Sequence, residues 1–226
     1  MNVTAIHEKT GTFPHLRETQ LREYLSETQL KELERFCSTV VRKPGTTVFR
    51  QDEPAEAFYM VIDGSVELRA RPPGRRAYRT VELIRPTCSF GDEALFGGGT
   101  YLASARTLET TRLLTLPRSA FDRLAEAAPA IGSGVLRCAG SCLIQTLRRS
   151  AILTQAPADV GLRLLLSELA TVRDRTDGHP VPVRITHAQL AGVLHISRET
   201  VSRMLRRLEE EGVVDLGRGV IRVRPA

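Results

Sequence analysis

The sequence predicts an α+β chain of two domains, and three observations carry that prediction. Short β-rich runs separated by turn signals occupy residues 46–116. From Pro129 the apolar spacing changes to the three-to-four period of a helix. Near the C-terminus, ITHAQLAGVLHISRETVSRMLRRLEEEG (Ile185–Gly212) has the pattern of two helices joined by a tight turn. At 226 residues the chain can give each of two modest domains its own core.

Residues 1–20 read as a polar lead-in, with His7 and His15 solvated. SETQLKELERF (Ser26–Phe36) opens on a capping box and spaces Leu30 and Leu33 for one apolar face, so it predicts a short helix. The period then becomes that of strands: Thr46–Arg50, Ala57–Ile62, Ser65–Arg71, Tyr78–Ile84 and Arg112–Leu116. Lys43-Pro44-Gly45, Asp63-Gly64, Pro72-Pro73-Gly74 and Arg85-Pro86 separate them. Asp63-Gly64 is a hairpin signal, because glycine reaches positive φ without steric cost. Many short strands at such spacing imply a sandwich or barrel, not a parallel sheet.

Leu136, Leu143 and Leu147, with Gly140 between them, mark a stripe near a heptad seam on a helix beginning at Pro129. Such a seam fits a second copy of the chain, with Gly140 permitting close approach; packing on the chain's own sheet is the alternative. Ala156-Pro157-Ala158-Asp159 breaks the pattern and Asp159 can cap its successor, so a hinge is expected there. The Leu-rich Val160–Val172 predicts a core helix, followed by the polar loop Asp174–Pro182 and a short strand at Val183–Ile185.

The C-terminal pair carries the chemistry. Thr186 and Gln189 form a capping-box pattern, and Ser197 is a good N-cap for the second helix. Val201, Leu205 and Leu208 fall on one face; Arg198, Glu199, Ser202, Arg203 and Arg206 fall on another. An arginine fork matches guanine O6 and N7, and a glutamate accepts from cytosine N4. Ser197 and Thr200 are placed for phosphate oxygens at the positive end of the helix dipole. Gly217-Arg218-Gly219 between two β-like runs reads as a wing with Arg218 at its tip. A helical pair used only for packing would have no use for this polar row.

The basic balance, with 32 Lys+Arg against 26 Asp+Glu, favours a polyanionic partner. Cys37, Cys88, Cys138 and Cys142 fit neither a disulfide framework nor zinc spacing, so no metal or cofactor is expected. Continuous apolar runs fall short of the roughly 18 residues of a membrane span, and no signal-peptide pattern opens the chain. A cytoplasmic protein with no membrane partner is therefore expected. No GxSxG, HExxH or P-loop pattern is present, which argues against an enzyme.

SRETVSRMLRRLEEEGVV followed by the glycine-tipped wing resembles the DNA-binding domain of the Crp/Fnr family of transcription regulators. KPGTTVFRQDEPAEAFYMVIDGSVELR resembles that family's β-roll sensor, and Phe90-Gly91-Asp92-Glu93-Ala94-Leu95-Phe96 resembles its phosphate-binding cassette. The resemblance implies that Arg198, Glu199 and Arg203 read the half-site. It also matches Glu199, Ser202 and Arg203 to the trio of the oxygen-sensing branch, so a TGTGA-like half-site is expected with individual bases open. The cluster cysteines of the iron–sulfur branch are absent from the N-terminal segment.

The cassette departs from cyclic-nucleotide binders at two points. Asp92 stands where a glutamate engages the ribose, with Glu93 adjacent, and Leu102 stands where an arginine pairs with the phosphate. The downstream Thr-Ser pair that meets adenine falls near Thr146-Leu147 or Leu147-Arg148 and is incomplete. A buried phosphate without a cation is costly. Tyr101 and Leu102 are expected to fill the degenerate pocket formed by Gly91, Asp92, Glu93, Ala94, Leu102 and Ala103.

The expectation is thus a homodimeric transcription regulator, by family default an activator, on palindromic double-stranded DNA. Its parts are a β-roll at 1–128, a dimerisation helix and hinge at 129–156, and a winged helix-turn-helix at 157–226. Arg198, Glu199, Ser202 and Arg203 are the expected base readers. Thr186, Ser197, Thr200 and Arg218 would hold the backbone, and Leu136, Gly140, Leu143 and Leu147 would form the dimer seam. The resemblance also implies contact with RNA polymerase. The alternative is a regulator gated by a cyclic nucleotide or another small ligand bound in the β-roll.

Overall fold

The computed structural model describes residues 16, 19–74, 77–92, 94, 99–171 and 181–224. His7, His15, Glu93 and most of the loop at 174–182 lie outside the described residues. By contacts the chain divides into two compact units, 1–70 with 84–146 and 71–83 with 147–226.

The described strands as far as Pro117 form two four-stranded sheets. One orders β1 (Ser38–Arg42), β8 (Thr111–Pro117), β3 (Ala57–Asp63) and β6 (Ser89–Phe90). The other orders β2 (Thr47–Phe49), β7 (Ser104–Thr107), β4 (Val66–Ala70) and β5 (Arg79–Ile84). β3 and β8 pair antiparallel from Ala57↔Pro117 to Val61↔Leu113, with a register shift before Asp63↔Arg112. Gly64 turns the β3–β4 hairpin at φ +90°, and a Cβ there would stand 2.7 Å from the Thr110 carbonyl oxygen, so the turn needs glycine.

Two apolar clusters hold the first unit. Val40, Phe49, Val61, Val66, Ile84, Phe90, Tyr101, Ala105 and Leu113 share one. Phe58, Met60, Leu114 and Leu116 join helical residues in the other. Alternation along β3 explains both, since Phe58 and Met60 leave the strand on the opposite side from Tyr59 and Val61. The second cluster takes Leu30 and Leu33 from α1 (Glu27–Glu34), Phe121 and Leu124 from α2 (Arg118–Ala127), and Ile131, Val135 and Cys138 from α3 (Pro129–Gln155). Ser26 caps α1 through a reciprocal capping box with Gln29.

The pattern reading missed β1, β6, β7 and α2. β6 has two residues, and β7 is SART, whose small and polar side chains carry no alternating apolar signal. Sheet neighbours bury it: Glu67↔Arg106 and Leu68↔Ala105 pair it with β4. α2 is preceded by Pro117, an N-cap residue that makes no side-chain cap bond, so its N-terminal signal is weak, although Ala120, Phe121 and Leu124 do bury one face.

In the second unit, α4 (Ala158–Thr171) buries Leu162, Leu165 and Leu166. α5 (His187–Val193) and α6 (Arg198–Glu210) follow, then the strands β10 (Val214–Gly217) and β11 (Val220–Val223). β9 (Val181–Val183) pairs with β11, two residues earlier than the strand expected at Val183–Ile185. The segment 71–83 belongs to this unit by contacts: Gly192 lies against the Thr80 backbone, where a Cβ would come within 2.8 Å of the Thr80 carbonyl oxygen.

Candidate nucleic-acid interface

Local sequence sets the angle between α5 and α6. Thr186 accepts the Gln189 amide at 3.3 Å and its own amide donates to the Gln189 side chain at 2.8 Å, closing a capping box. α5 ends on a left-handed residue, His195 at φ +55°. Its amide donates to Gly192 O at 3.3 Å, and the Ile196 amide reaches back to Ala191 O at 3.1 Å. These bonds satisfy carbonyls that the helix end would orphan and turn the chain sharply into Ser197. The Ser197 hydroxyl then accepts from the Thr200 amide at 3.0 Å and starts α6.

α6 divides along its length. Val201, Leu205 and Leu208 are buried, whereas Arg198, Glu199, Arg203 and Arg206 are exposed and Ser202 is half-buried. The expected readers therefore share a solvent-facing row at the N-terminal half of the helix, where the dipole is positive. Thr186 and Ser197 are exposed, and Thr200 is half-buried. Their hydroxyls are already engaged: Ser197 and Thr200 bond each other at 2.9 Å, and Thr186 donates to Gln189 at 3.0 Å. Arg218 is exposed in the β10–β11 turn, beside Gly219 at φ +72°.

His187 is a neighbour that pattern reading missed. Its Nδ1 lies 2.8 Å from the Ser202 hydroxyl, joining the first turn of α5 to the polar row of α6. Burial, then the charges of Arg198 and Arg206, lower its pKa below the ordinary histidine value, so the neutral ring is favoured. The one sequence signal was its place directly after the capping threonine.

Polar contacts fix the rest. The Glu209 carboxylate accepts from the Leu216 amide at 2.9 Å, tying α6 to the wing. Arg163 of α4 and Arg207 both bond Glu211 and hold its carboxyl below the usual range. Gly212, at φ +73°, closes α6, with the Val213 amide donating to Leu208 O at 2.9 Å.

The expected effector region is arranged differently from its sequence reading. Tyr101 is buried, but Leu102 is 73% exposed, so Leu102 does not fill a pocket. Backbone bonds explain the difference. Tyr101 N–H donates to Glu53 O and Asp52 N–H donates to Tyr101 O, each at 2.9 Å, fixing Tyr101 against the backbone of residues 52–53 just before the chain bends at Leu102 and Ala103. The Tyr101 ring stacks on Phe49 with centroids 3.7 Å apart, and its hydroxyl accepts from Ala57 N–H at 3.1 Å while donating to Ala57 O at 2.8 Å. Gly91 lies close beneath: a Cβ there would be 3.2 Å from the Tyr101 ring. Ala94 is buried, Asp92 and Ala103 are half-buried, and Ser89 donates to Asp92 at 3.4 Å. Arg106, the nearest cation in sequence, is exposed and donates to Gly45 O at 3.0 Å.

On α3, Ile131, Val135, Cys138, Ala139 and Cys142 are buried, while Leu136, Leu143, Ile144 and Leu147 remain exposed. A Cβ at Gly140 would meet nothing within 4 Å. Pro129–Leu153 has the length and apolar content of a membrane span, yet it packs Ile131, Val135 and Cys138 into the first unit's core. Cys138 and Cys142 are small buried residues, and their mutual hydrogen bond, then desolvation, push the Cys138 pKa up.

Residues 39–128 match the cyclic nucleotide-binding domain family, and residues 162–225 match the Crp-like helix-turn-helix domain. A cyclic AMP receptor protein of Thermus thermophilus is 34% identical over 189 residues, covering 80% of this chain and 82% of the relative. A global nitrogen regulator of Nostoc is 30% identical over 186 residues, covering 78% and 81%. Among solved structures, a Thermus thermophilus transcriptional regulator of the CRP/FNR family superposes with a TM-score of 0.65 at 26% identity, covering 83% of this chain and 93% of that one.

Proposed function

Because the chain belongs to the Crp/Fnr family of transcription regulators, we propose that it binds a palindromic TGTGA-like site in double-stranded DNA as a homodimer, without needing cyclic AMP. The observation that carries DNA reading is the exposed row Arg198, Glu199, Ser202 and Arg203, set opposite the buried Val201, Leu205 and Leu208 on α6. Arginine forks and a carboxylate at the first turns of such a helix suit base edges in the major groove. Thr186, Ser197, Thr200 and Arg218 flank the row and serve the phosphates. Because the three hydroxyls are held within the protein, Arg218 is the contact with the most freedom to move toward DNA.

Two half-sites need two recognition helices about 34 Å apart. The exposed Leu136, Leu143 and Leu147 stripe of α3, with Gly140 clear of other atoms, supports a seam between two copies. The regulator acts in the cytoplasm, and activation through RNA polymerase, the family's usual output, completes the proposal.

Independence from cyclic AMP rests on Tyr101. Expelling its ring from the Phe49 stack would forfeit about 2–3 kcal/mol of burial. It would also forfeit about 1 kcal/mol for each hydroxyl bond. A nucleotide of micromolar intrinsic affinity, about −8 kcal/mol, would be left near the millimolar range. Leu102 also supplies no charge for a phosphate. The second reading, control by a cyclic nucleotide, is favoured by the domain match at 39–128 and by the name of the Thermus relative.

The test is binding of a labelled TGTGA-N6-TCACA duplex at fixed salt, with and without cyclic AMP, against a scrambled duplex. Tight specific binding without nucleotide is expected. Binding that appears only with nucleotide would overturn the role given to Tyr101 and establish the second reading. Equal binding to the scrambled duplex under both conditions would overturn the half-site.

A further inference from the structure

The Ser202 hydroxyl touches two groups of its own chain, Nδ1 of His187 at 2.8 Å and the carbonyl oxygen of Arg198 at 3.0 Å. A hydroxyl has one proton and two lone pairs. The carbonyl can only accept, so two arrangements exist. Either Ser202 donates to Arg198 O and accepts from His187 Nδ1–H, or it donates to an unprotonated His187 Nδ1. In both, the proton stays inside the protein, and only a lone pair remains for a group approaching from outside. Turning the proton outward would set a lone pair against the carbonyl oxygen or the ring nitrogen, at the distances just given.

We infer that His187 is a specificity-determining positioning residue: it fixes the Ser202 hydroxyl as an acceptor, which selects a base amino group, adenine N6 or cytosine N4, over the acceptor edges of guanine and thymine. This rests on the reading of α6 as the base-reading helix. The chemistry follows from the major-groove code, in which adenine and cytosine present amino donors and guanine and thymine present O6, N7 or O4. Without the ring, Ser202 is held only by the bond to its own helix, a contact that a serine hydroxyl makes and leaves readily.

His187 also fits the task electrically. The charged groups acting on it from the recognition helix are Arg198 and Arg206, and together with burial they favour the neutral ring. A neutral ring can complete either arrangement, with Nδ1 as donor or as acceptor. Asparagine is the conservative replacement, because its side-chain amide places a donor or acceptor where Nδ1 lies.

The experiment uses the full-length protein and competition binding to a panel of palindromic duplexes. Each half-site position is varied through all four bases on both arms. Ser202→Ala locates the position that Ser202 reads, as the one whose preference it flattens. At that position the wild type is expected to prefer adenine or cytosine on the contacted strand by about five-fold or more. His187→Ala should flatten the same position to within about two-fold while the positions read by Arg198 and Arg203 keep their order, and His187→Asn should restore the preference. A wild-type preference for guanine or thymine there overturns the inference. So does a His187→Ala protein that binds every duplex more weakly by one common factor, which marks a merely structural histidine. Should Ser202→Ala flatten no position while Arg198→Ala flattens one, the inference fails but base reading by α6 stands. If the wild type binds every duplex alike, base reading itself fails.

Discussion

Replacing Tyr101 tests whether the β-sandwich is closed by its own side chain. Tyr101→Phe keeps the ring on Phe49 but removes an oxygen that serves both the amide and the carbonyl of Ala57. Leaving buried partners unsatisfied costs about 1–3 kcal/mol. Tyr101→Ala also empties the ring's volume, and large-to-small aromatic changes in cores cost about 3–5 kcal/mol. The two variants should therefore lower stability in that order, Phe before Ala. The assay is urea unfolding followed by far-ultraviolet circular dichroism, since the chain has no Trp to report by fluorescence. Protomer concentration must be held constant, because the apparent stability of the proposed dimer depends on it. The transition of the first unit should move to lower urea while that of the second stays in place. If Tyr101→Phe changes stability by less than about 0.5 kcal/mol, the Ala57 bonds are unimportant and the closure argument fails. A Tyr101→Ala protein that is as stable as the wild type would refute it outright.

Arg198→Ala should weaken binding to the specific duplex by about 1–3 kcal/mol and relax one base preference, whereas equal loss on random DNA would make it a phosphate contact. Arg218→Ala should weaken specific and random duplexes alike and lower the salt slope by about one, read from titrations at several salt concentrations. Gly192→Ala should lower the melting temperature of the second unit, because its Cβ would stand 2.8 Å from the Thr80 carbonyl oxygen and 3.1 Å from the Thr80 amide nitrogen; an unchanged melting curve would show that the segment moves aside at no cost. His187 has a native pKa below its ordinary 6.5, so the unfolded chain binds the proton first. Its contribution is intact above about pH 6.5 and is lost as pH falls from there toward the lowered native value. The stability difference between wild type and His187→Asn should therefore shrink on acidification through that window, and a difference that grows would reverse the sign.

Local signals are clearest in the second unit. Thr186 with Gln189, and Ser197 at the start of α6, each act within a few residues, and these caps formed as the sequence implied. The split of α6 between Val201, Leu205, Leu208 and the charged row needed only the helical period. Likewise the Leu136, Leu143, Leu147 stripe was legible because it repeats along one helix.

What escaped the sequence is non-local. β7 is a strand because β2 and β4 flank it, since SART carries no periodic apolar signal of its own. Nothing in the order Tyr101-Leu102 says which residue turns inward; the bonds of Tyr101 to Asp52 and Glu53, some fifty residues upstream, decide it. His187 reaches Ser202 across 15 residues only because the turn at His195 folds α5 against α6. Periodicity and capping are encoded by neighbours along the chain, so the sequence determined the elements and the faces they present. Which face meets which partner depends on long-range hydrogen bonds and packing, and only the tertiary structure decided that.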